Sequence, residues 1–174
     1  DSTFKPTPSL CSILTARVVP PEGGATELAS TRAAYASLSE KQKQEIEDLV
    51  IEHDFAHSRG VVGFTFTKEE LAGMKPARHR LVRTNPANGL KSVMIGLHAK
   101  CVVGWPEDES RALLDDLLAR ATRPENSYRH EWQQDDVLIW DNQAAVHRAT
   151  EFDAARHHRL MQRTTISSGI KSNL

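Results

Sequence analysis

One histidine and two arginines near the end of the chain have the residue types and spacing that could build a reactive site. His147 ends the segment Trp140-Asp-Asn-Gln-Ala-Ala-Val-His147, and Arg159 and Arg163 lie four residues apart in a second segment with apolar residues. If both segments are strands, Arg159 and Arg163 share one face, because side chains alternate with a period of two. Imidazole ligates metal ions, and a guanidinium pairs with a carboxylate through two parallel hydrogen bonds. The pattern therefore predicts a cation site that works beside anions.

The carboxylate of Asp1 is the second candidate metal ligand. Non-haem Fe(II) oxygenases use two histidines and one carboxylate on one face of an octahedron, and the opposite face stays open for a co-substrate and dioxygen. The sequence holds no thiolate cluster of the kind that zinc prefers. The donors Asp1 and His147 therefore favour Fe(II). His98 and His130, at the ends of predicted strands, could also approach such a site.

The elements that must position these residues are predicted to be mostly short strands. Residues 10–19 are apolar and β-branched, residues 20–24 form a turn rich in proline and glycine, and Thr26 lies in the next extended segment. His147 and the two arginines are predicted to lie on a late hairpin. The pattern indicates a mainly β core, for which a jelly-roll barrel is one solution.

Two helices are predicted outside this core. Ser39 and Gln42 fit a capping box, and the apolar stripe behind them is predicted to continue to His53. A second helix is predicted over residues 106–122, where Pro106 and three acidic residues suit the positive helix start. The chain is therefore predicted to be mainly β with helical insertions.

Composition excludes several classes of function. The chain has 174 residues, a net charge of −1, 39% hydrophobic and 26% charged residues, which argues against a nucleic-acid or membrane-surface partner bound by bulk charge. No run approaches the roughly 18 apolar residues of a membrane span. Cys11 and Cys101 lie in apolar runs and are expected to be buried, reduced thiols, which favours a cytoplasmic location. The expected partners are a small anionic molecule and dioxygen, and the chain is a candidate for a homo-oligomer.

Three separated motifs resemble the taurine/2,4-dichlorophenoxyacetate dioxygenase family, whose members are Fe(II)- and 2-oxoglutarate-dependent enzymes on a double-stranded β-helix, a jelly-roll. Residues 140–163 are similar to its C-terminal motif, Asp1-Ser-Thr-Phe4 resembles the end of its His-x-Asp motif, and residues 18–26 resemble its Gly-Gly-x-Thr segment. The motifs occur in the family's order along nearly the whole chain. The amino-acid sequence of residues 4–6 and 16–24 is most similar to the 2,4-dichlorophenoxyacetate branch.

The resemblance implies a role for each matching residue. Asp1 and His147 would be iron ligands, and Arg163 would bind the anion of the substrate. Thr26 and Arg159 would hold the distal carboxylate of 2-oxoglutarate. Trp140 would line the pocket near the co-substrate. A tryptophan that packs in the core is an equally good interpretation of this residue.

The sequence departs from the family pattern at its first residue. The first iron histidine of the family stands two residues before the aspartate, and this sequence begins at Asp1. We therefore expect a single catalytic domain over residues 1–174 that is incomplete at the N-terminus. Weak iron binding and little turnover are expected for these residues alone.

Three functions remain open from the sequence. The first is a dioxygenase that hydroxylates an aryloxyacetate such as 2,4-dichlorophenoxyacetate and releases a phenol, glyoxylate, succinate and CO2. The second is the same chemistry on taurine, another sulfonate or a sulfate ester, because Arg163 recognises only an anion. The third is a non-catalytic jelly-roll module that binds a dicarboxylate.

Overall fold

The structure, a computed structural model, describes residues 2–167 and residue 169. Strands dominate it, and helices are inserted between them, which confirms the predicted mainly β class. The strands are β1 (Ser9–Val18), β2 (Thr26–Ser30), β3 (Val50–His53), β4 (Ala77–Arg80), β5 (Val82–Thr84), β6 (Lys91–Val93), β7 (Ala99–Val102), β8 (Ser127–His130), β9 (Val137–Asp141), β10 (Ala145–Ala149) and β11 (Leu160–Ser167). The helices are α1 (Thr31–Ala36), α2 (Glu40–Ile46), α3 (Phe55–Val61), α4 (Lys68–Gly73), α5 (Glu107–Ala121) and a 3-10 turn at Pro124–Asn126.

Antiparallel pairing groups the described strands into four small sheets. Their strand orders are β11-β1-β9, β10-β2-β8, β4-β3-β7 and β5-β6. The predicted late hairpin is wrong, because β10 and β11 pair with different partners. His147 of β10 lies opposite Leu28 of β2, and Arg163 of β11 lies opposite Leu14 of β1. The chain does not turn back on itself after β10. Instead, Thr150 N–H donates a hydrogen bond to Ala25 O at 2.9 Å.

The hydrophobic core lies where α1 and α5 pack against β3, β6 and β7. Helix α5 buries Leu114, Leu117 and Ala121 on one face, as its apolar stripe predicts. Ile51 of β3 and Leu81 are fully buried in the same cluster. This core places the sheets but contains none of the predicted site residues.

Helix α2 is shorter than its sequence pattern predicts. The capping box of Ser39 and Gln42 is confirmed, but the helix ends at Ile46 and residues 50–53 form β3. Val50 and Ile51 are β-branched and favour strand, and burial alternates along β3 so that Ile51 and His53 point inward. Strand pairing with β4 and β7 therefore outweighs the helical spacing of His53.

Cysteine burial and membrane-spanning segments were also addressed by the sequence. Cys11 and Cys101 are free, but both are only half-buried, so their predicted burial is wrong. Both lie on strands with one face toward solvent, which explains the partial exposure. No helix in the described part of the chain combines the length and apolar character needed to cross a membrane.

The buried imidazole of His53 predicts a pH-dependent stability. His53 is 0% exposed, its ring packs edge-on against His79 at a 5.4 Å centroid distance, and neither of its nitrogens has a hydrogen-bond partner among the described residues. Burial, with the charge of His79, lowers its pKa from 6.5 to about 3. Protonation is therefore easier in the unfolded chain, so stability is complete above pH 6.5 and is lost as the pH falls toward 3.

We expect His53→Leu to weaken this pH dependence. Between pH 7 and pH 4.5 the native protein should lose about 2 kcal/mol more unfolding free energy than the variant, as urea titrations at both pH values would show. The remaining dependence comes from His79, His98 and His147, whose pKa values burial also lowers. His158→Gln, at an exposed position, is the control. Equal losses in the native protein and His53→Leu would contradict the prediction.

Candidate active site

A glycine turn places Arg159 at the start of β2. Gly24 has a φ of +67°, and a Cβ there would lie 3.0 Å from Arg159 Cδ and 3.1 Å from Arg159 Nε. Arg159 Nε donates to the Gly24 carbonyl at 2.9 Å. Gly23, with a φ of +74°, packs more tightly still, since its Cβ would lie 2.5 Å from Glu151 O. Both glycines are therefore needed for backbone conformation and for close approach.

Thr26, two residues beyond Gly24, is oriented by a tryptophan. It is 2% exposed at the first position of β2, and its Oγ1 accepts from Trp132 Nε1 at 3.0 Å. A hydroxyl that accepts one hydrogen bond still has its own proton to donate. Arg159 is half-buried, and burial lowers the pKa of its guanidinium because the charged form loses part of its hydration. Thr26 and Arg159 therefore flank the same turn as a hydroxyl donor and a guanidinium.

His147 stands on β10 against an aromatic wall. Its ring lies 4.8 Å from that of Trp140, with an interplanar angle of 49°. Burial, with the charge of Arg163, lowers the pKa of His147 from 6.5 to about 4. The imidazole is therefore neutral at pH 7, which is the form that ligates a metal. Trp140 is 6% exposed, and its Nε1 has no partner among the residues that the structure describes.

A cavity of about 300 Å³ brings His147 and Arg163 together. This volume suits a small organic molecule. Its wall combines the two basic residues with polar and apolar side chains from four other segments. The lining residues are Thr3, Thr31, Arg59, Val93, Met94, Ile95, Gly96, Leu97, His98, Asn142, Gln143, Ala145, Val146, His147 and Arg163.

Thr3 of the N-terminal segment also lines the cavity. Thr3 is buried, and its Oγ1 lies 3.2 Å from His98 Nδ1, while its carbonyl accepts from His79 Nε2 at 2.7 Å. Since the His79 nitrogen contacts carbonyl oxygens, it must carry the proton. Burial, with the charge of Arg59 as a smaller cause, lowers the pKa of His98 to about 4. Two histidines thus hold the segment that follows Asp1.

The structure separates the predicted site residues into two groups. His147 and Arg163 line the cavity, and Trp140 contacts the ring of His147. Thr26 and Arg159 flank the glycine turn instead and are not among the residues that line the cavity. Arg159 stands one residue before β11 rather than on it. The roles of these residues stay predictions.

Asp1, the predicted carboxylate ligand, lies outside the described residues. Across residues 2–167 and residue 169, no group of three or more metal-binding side chains comes together. The donor chemistry around the cavity nevertheless suits iron, because it offers neutral imidazole and no thiol. His147 is the donor that the structure places there.

Several site residues carry no sequence pattern that would reveal them. Arg59 comes from α3, and Trp132 follows β8. His98 was a candidate from its strand end and does line the cavity. His130 does not; its ring packs edge-on against Trp132 at 4.4 Å and its Nε2 lies 3.1 Å from Asp136 Oδ2.

Comparison with known proteins identifies the class to which this fold and site belong. The model of the family "Taurine catabolism dioxygenase TauD, TfdA family" matches residues 1–165. The chain therefore belongs to the TauD/TfdA family, as the sequence motifs predict.

Two curated relatives and one solved structure show the degree of similarity. An alpha-ketoglutarate-dependent 2,4-dichlorophenoxyacetate dioxygenase of Burkholderia sp. (strain RASC) is 39% identical, over 95% of this chain and 56% of the relative. An alkylsulfatase of Acinetobacter baylyi is 34% identical, over 96% of this chain and 56% of the relative. The crystal structure of AAD-2 with Mn(II) and N-oxalylglycine superposes with a TM-score of 0.95 at 43% identity, over 100% of this chain and 69% of that one. The chain thus spans just over half the length of these two curated relatives.

The glycine turn predicts that Gly24→Ala moves the Arg159 guanidinium. The new methyl group meets Arg159 at 3.0 Å and also strains a positive φ. The sequence motif implies that Arg159 holds the distal carboxylate of 2-oxoglutarate. We therefore expect the dissociation constant for 2-oxoglutarate to rise about tenfold, because a charge-assisted contact worth about 1.5 kcal/mol or more would be misplaced. Calorimetric titration of the native protein and the variant measures this change.

Gly89→Ala is the matched control for Gly24→Ala. Gly89 has nearly the same φ, +71°, but a Cβ there meets nothing within 4 Å. Both substitutions should lower stability by about 1 kcal/mol through backbone strain. Only Gly24→Ala should weaken 2-oxoglutarate binding, and a similar weakening in Gly89→Ala would show that Arg159 placement is not the cause.

Proposed function

We propose that the protein is an Fe(II)- and 2-oxoglutarate-dependent dioxygenase that hydroxylates a small organic anion. The observation that carries this proposal is the shared cavity of His147 and Arg163, a metal-binding imidazole next to an anion-binding guanidinium. The family relationship and the names of the relatives support it. A second pair of hydrogen-bond donors, Thr26 and Arg159, flanks the glycine turn.

The co-substrate would be held at the glycine turn. Arg159 offers its terminal guanidinium nitrogens to a carboxylate, since its Nε is used by the Gly24 carbonyl. Thr26 can donate its hydroxyl proton to the same carboxylate, because Trp132 occupies its acceptor side. The complex of AAD-2 with N-oxalylglycine, a 2-oxoglutarate analogue, supports 2-oxoglutarate as the co-substrate.

Fe(II) would be held by His147 and Asp1, with a further ligand as the family pattern implies. When bound, the metal and 2-oxoglutarate supply the oxidising chemistry that uses dioxygen and yields succinate and CO2. Trp140 packs against His147 and fixes the ring orientation. The low pKa of His147 keeps the imidazole unprotonated, so no proton has to leave before it coordinates.

The substrate would lie in the cavity with its anion on Arg163. Val93, Ile95 and Leu97 give one wall an apolar character that suits an aromatic ring. We therefore favour an aryloxyacetate, which releases a phenol and glyoxylate after hydroxylation beside the ether oxygen. A sulfate ester is the second candidate, since an alkylsulfatase is among the relatives and a guanidinium binds a sulfate as readily.

The same reasoning extends to the fold and the cellular location. We propose that the antiparallel sheets belong to a double-stranded β-helix that forms a single catalytic domain, supported by the TM-score of 0.95 to AAD-2. A cytoplasmic location is supported by the two free, half-buried cysteines, since a reducing compartment preserves thiols.

Succinate formation by the native protein tests the proposed function. We expect it to require Fe(II), 2-oxoglutarate and dioxygen, and to be stimulated most by aryloxyacetates in a panel that includes taurine and an alkyl sulfate. Arg163→Met should lower kcat/KM for every stimulating anion by about ten- to a hundredfold, the worth of a charge-assisted hydrogen bond. Arg80→Met is the control, because Arg80 is exposed and pairs with Asp48 on another sheet.

Two results would contradict this proposal. Binding of 2-oxoglutarate that is independent of Fe(II), without succinate formation for any anion, would instead indicate a non-catalytic dicarboxylate-binding module. Stimulation by the alkyl sulfate alone would keep the chemistry but replace the aryloxyacetate.

A further inference from the structure

Arg59 is a second cation of the cavity that the proposed reaction does not yet use. Helix α3 positions it, and Asp54 fixes the start of that helix by accepting from Ala56 N at 2.8 Å and His57 N at 3.3 Å. The half-buried guanidinium lies over the Phe55 ring at 5.2 Å. Its Nε is buried and has no hydrogen-bond partner among the described residues. The helix and the aromatic ring thus hold the Arg59 guanidinium at the cavity wall.

Among the described residues, no carboxylate lines the cavity beside Arg59. The described lining includes two guanidiniums and two imidazoles but no aspartate or glutamate. The nearest acid along the chain, Asp54, is committed to the helix start and to Lys100, whose Nζ lies 3.4 Å away. A partly desolvated cation at the wall of a cavity favours a ligand that brings an anion.

Arg59 and Arg163 occupy different parts of the cavity wall. Arg163 comes from β11, where it lies opposite Leu14 of β1. Arg59 comes from α3, where its guanidinium lies over the Phe55 ring. The two cations therefore reach the cavity from different elements, so one bound molecule can present a separate anionic group to each.

We propose that Arg59 binds a second anionic group of the substrate, so that the site selects organic dianions over monoanions with the same skeleton. This inference rests on the proposed function for the position of the first anion at Arg163. It narrows the substrate class from any small anion to a molecule with anionic groups at both ends. An aryloxyacetate that carries a ring carboxylate has that chemistry.

Equilibrium binding separates the two arginines. The probes are phenoxyacetate and 4-carboxyphenoxyacetate, titrated calorimetrically into the native protein with and without Mn(II) and 2-oxoglutarate. The native protein should bind the dianion about ten- to a hundredfold more tightly than the monoanion, which is the range of one charge-assisted hydrogen bond. Arg59→Met, which keeps an unbranched stem over Phe55, should abolish that preference and change phenoxyacetate binding by less than about threefold.

Two further variants complete the design. Arg59→Lys should recover part of the preference, because it restores the charge without the planar fork. Arg80→Met should behave as the native protein. Retained phenoxyacetate binding by Arg59→Met shows that the variant is folded.

Three outcomes would overturn the inference: equal affinity of the native protein for both probes, no binding of either, or an equal loss for both probes in Arg59→Met. The last result would mean that both arginines bind one anion. Preferential dianion binding that depends on Arg59, without succinate formation in the presence of Fe(II), would preserve this inference and refute the proposed catalysis.

Discussion

The hydrogen bond from Arg159 Nε to the Gly24 carbonyl, at 2.9 Å, connects the end of the chain to its beginning. Because Arg159 stands directly before β11, the contact fixes where that strand starts against β1. The same register then places Arg163 opposite Leu14 and at the wall of the cavity. The two glycines of the turn make this contact sterically possible, and Thr26 follows them into β2. One short contact therefore helps to position both Arg159 and Arg163.

Charge is the second constraint on the site. The described wall of the cavity is cationic, while the acids of the neighbouring elements are paired elsewhere, for example Asp141 with Arg32 at 3.0 Å. Burial keeps His147 and His98 neutral at pH 7, so that the guanidiniums alone hold fixed positive charge. Guanidiniums suit the proposed binding of anions, and neutral imidazole is the form that ligates a metal or accepts a proton. This division would let the proposed anion and metal sites share one cavity.

The sequence predicted the residues that carry motifs and missed those that only tertiary packing brings in. Residue type and spacing were sufficient for His147, Arg163 and the glycine turn, because backbone conformation and ligand chemistry restrict those positions directly. The pairing of β10 and β11 was wrong, since strand alternation indicates a face but not the partner strand. The sequence around Arg59 carries no motif, because only its position at the cavity wall, and not the pattern of α3, singles it out.

The helical prediction shows the same limit. The capping box of Ser39 and Gln42 is a local hydrogen-bond pattern and was predicted correctly. The continuation to His53 failed because inward-facing Ile51 and His53 complete a sheet with β4 and β7. Burial in that sheet outweighs the propensity of a seven-residue helix to extend.

Paired dissociation constants test most directly whether Arg159 and Arg163 bind different molecules. Binding of 2-oxoglutarate and of phenoxyacetate would be measured for the native protein, Arg159→Met and Arg163→Met in the presence of Mn(II). We expect Arg159→Met to weaken 2-oxoglutarate binding at least about tenfold and Arg163→Met to weaken only phenoxyacetate binding to that extent. Loss of both ligands in each variant, or the reversed pattern, would contradict the division of roles.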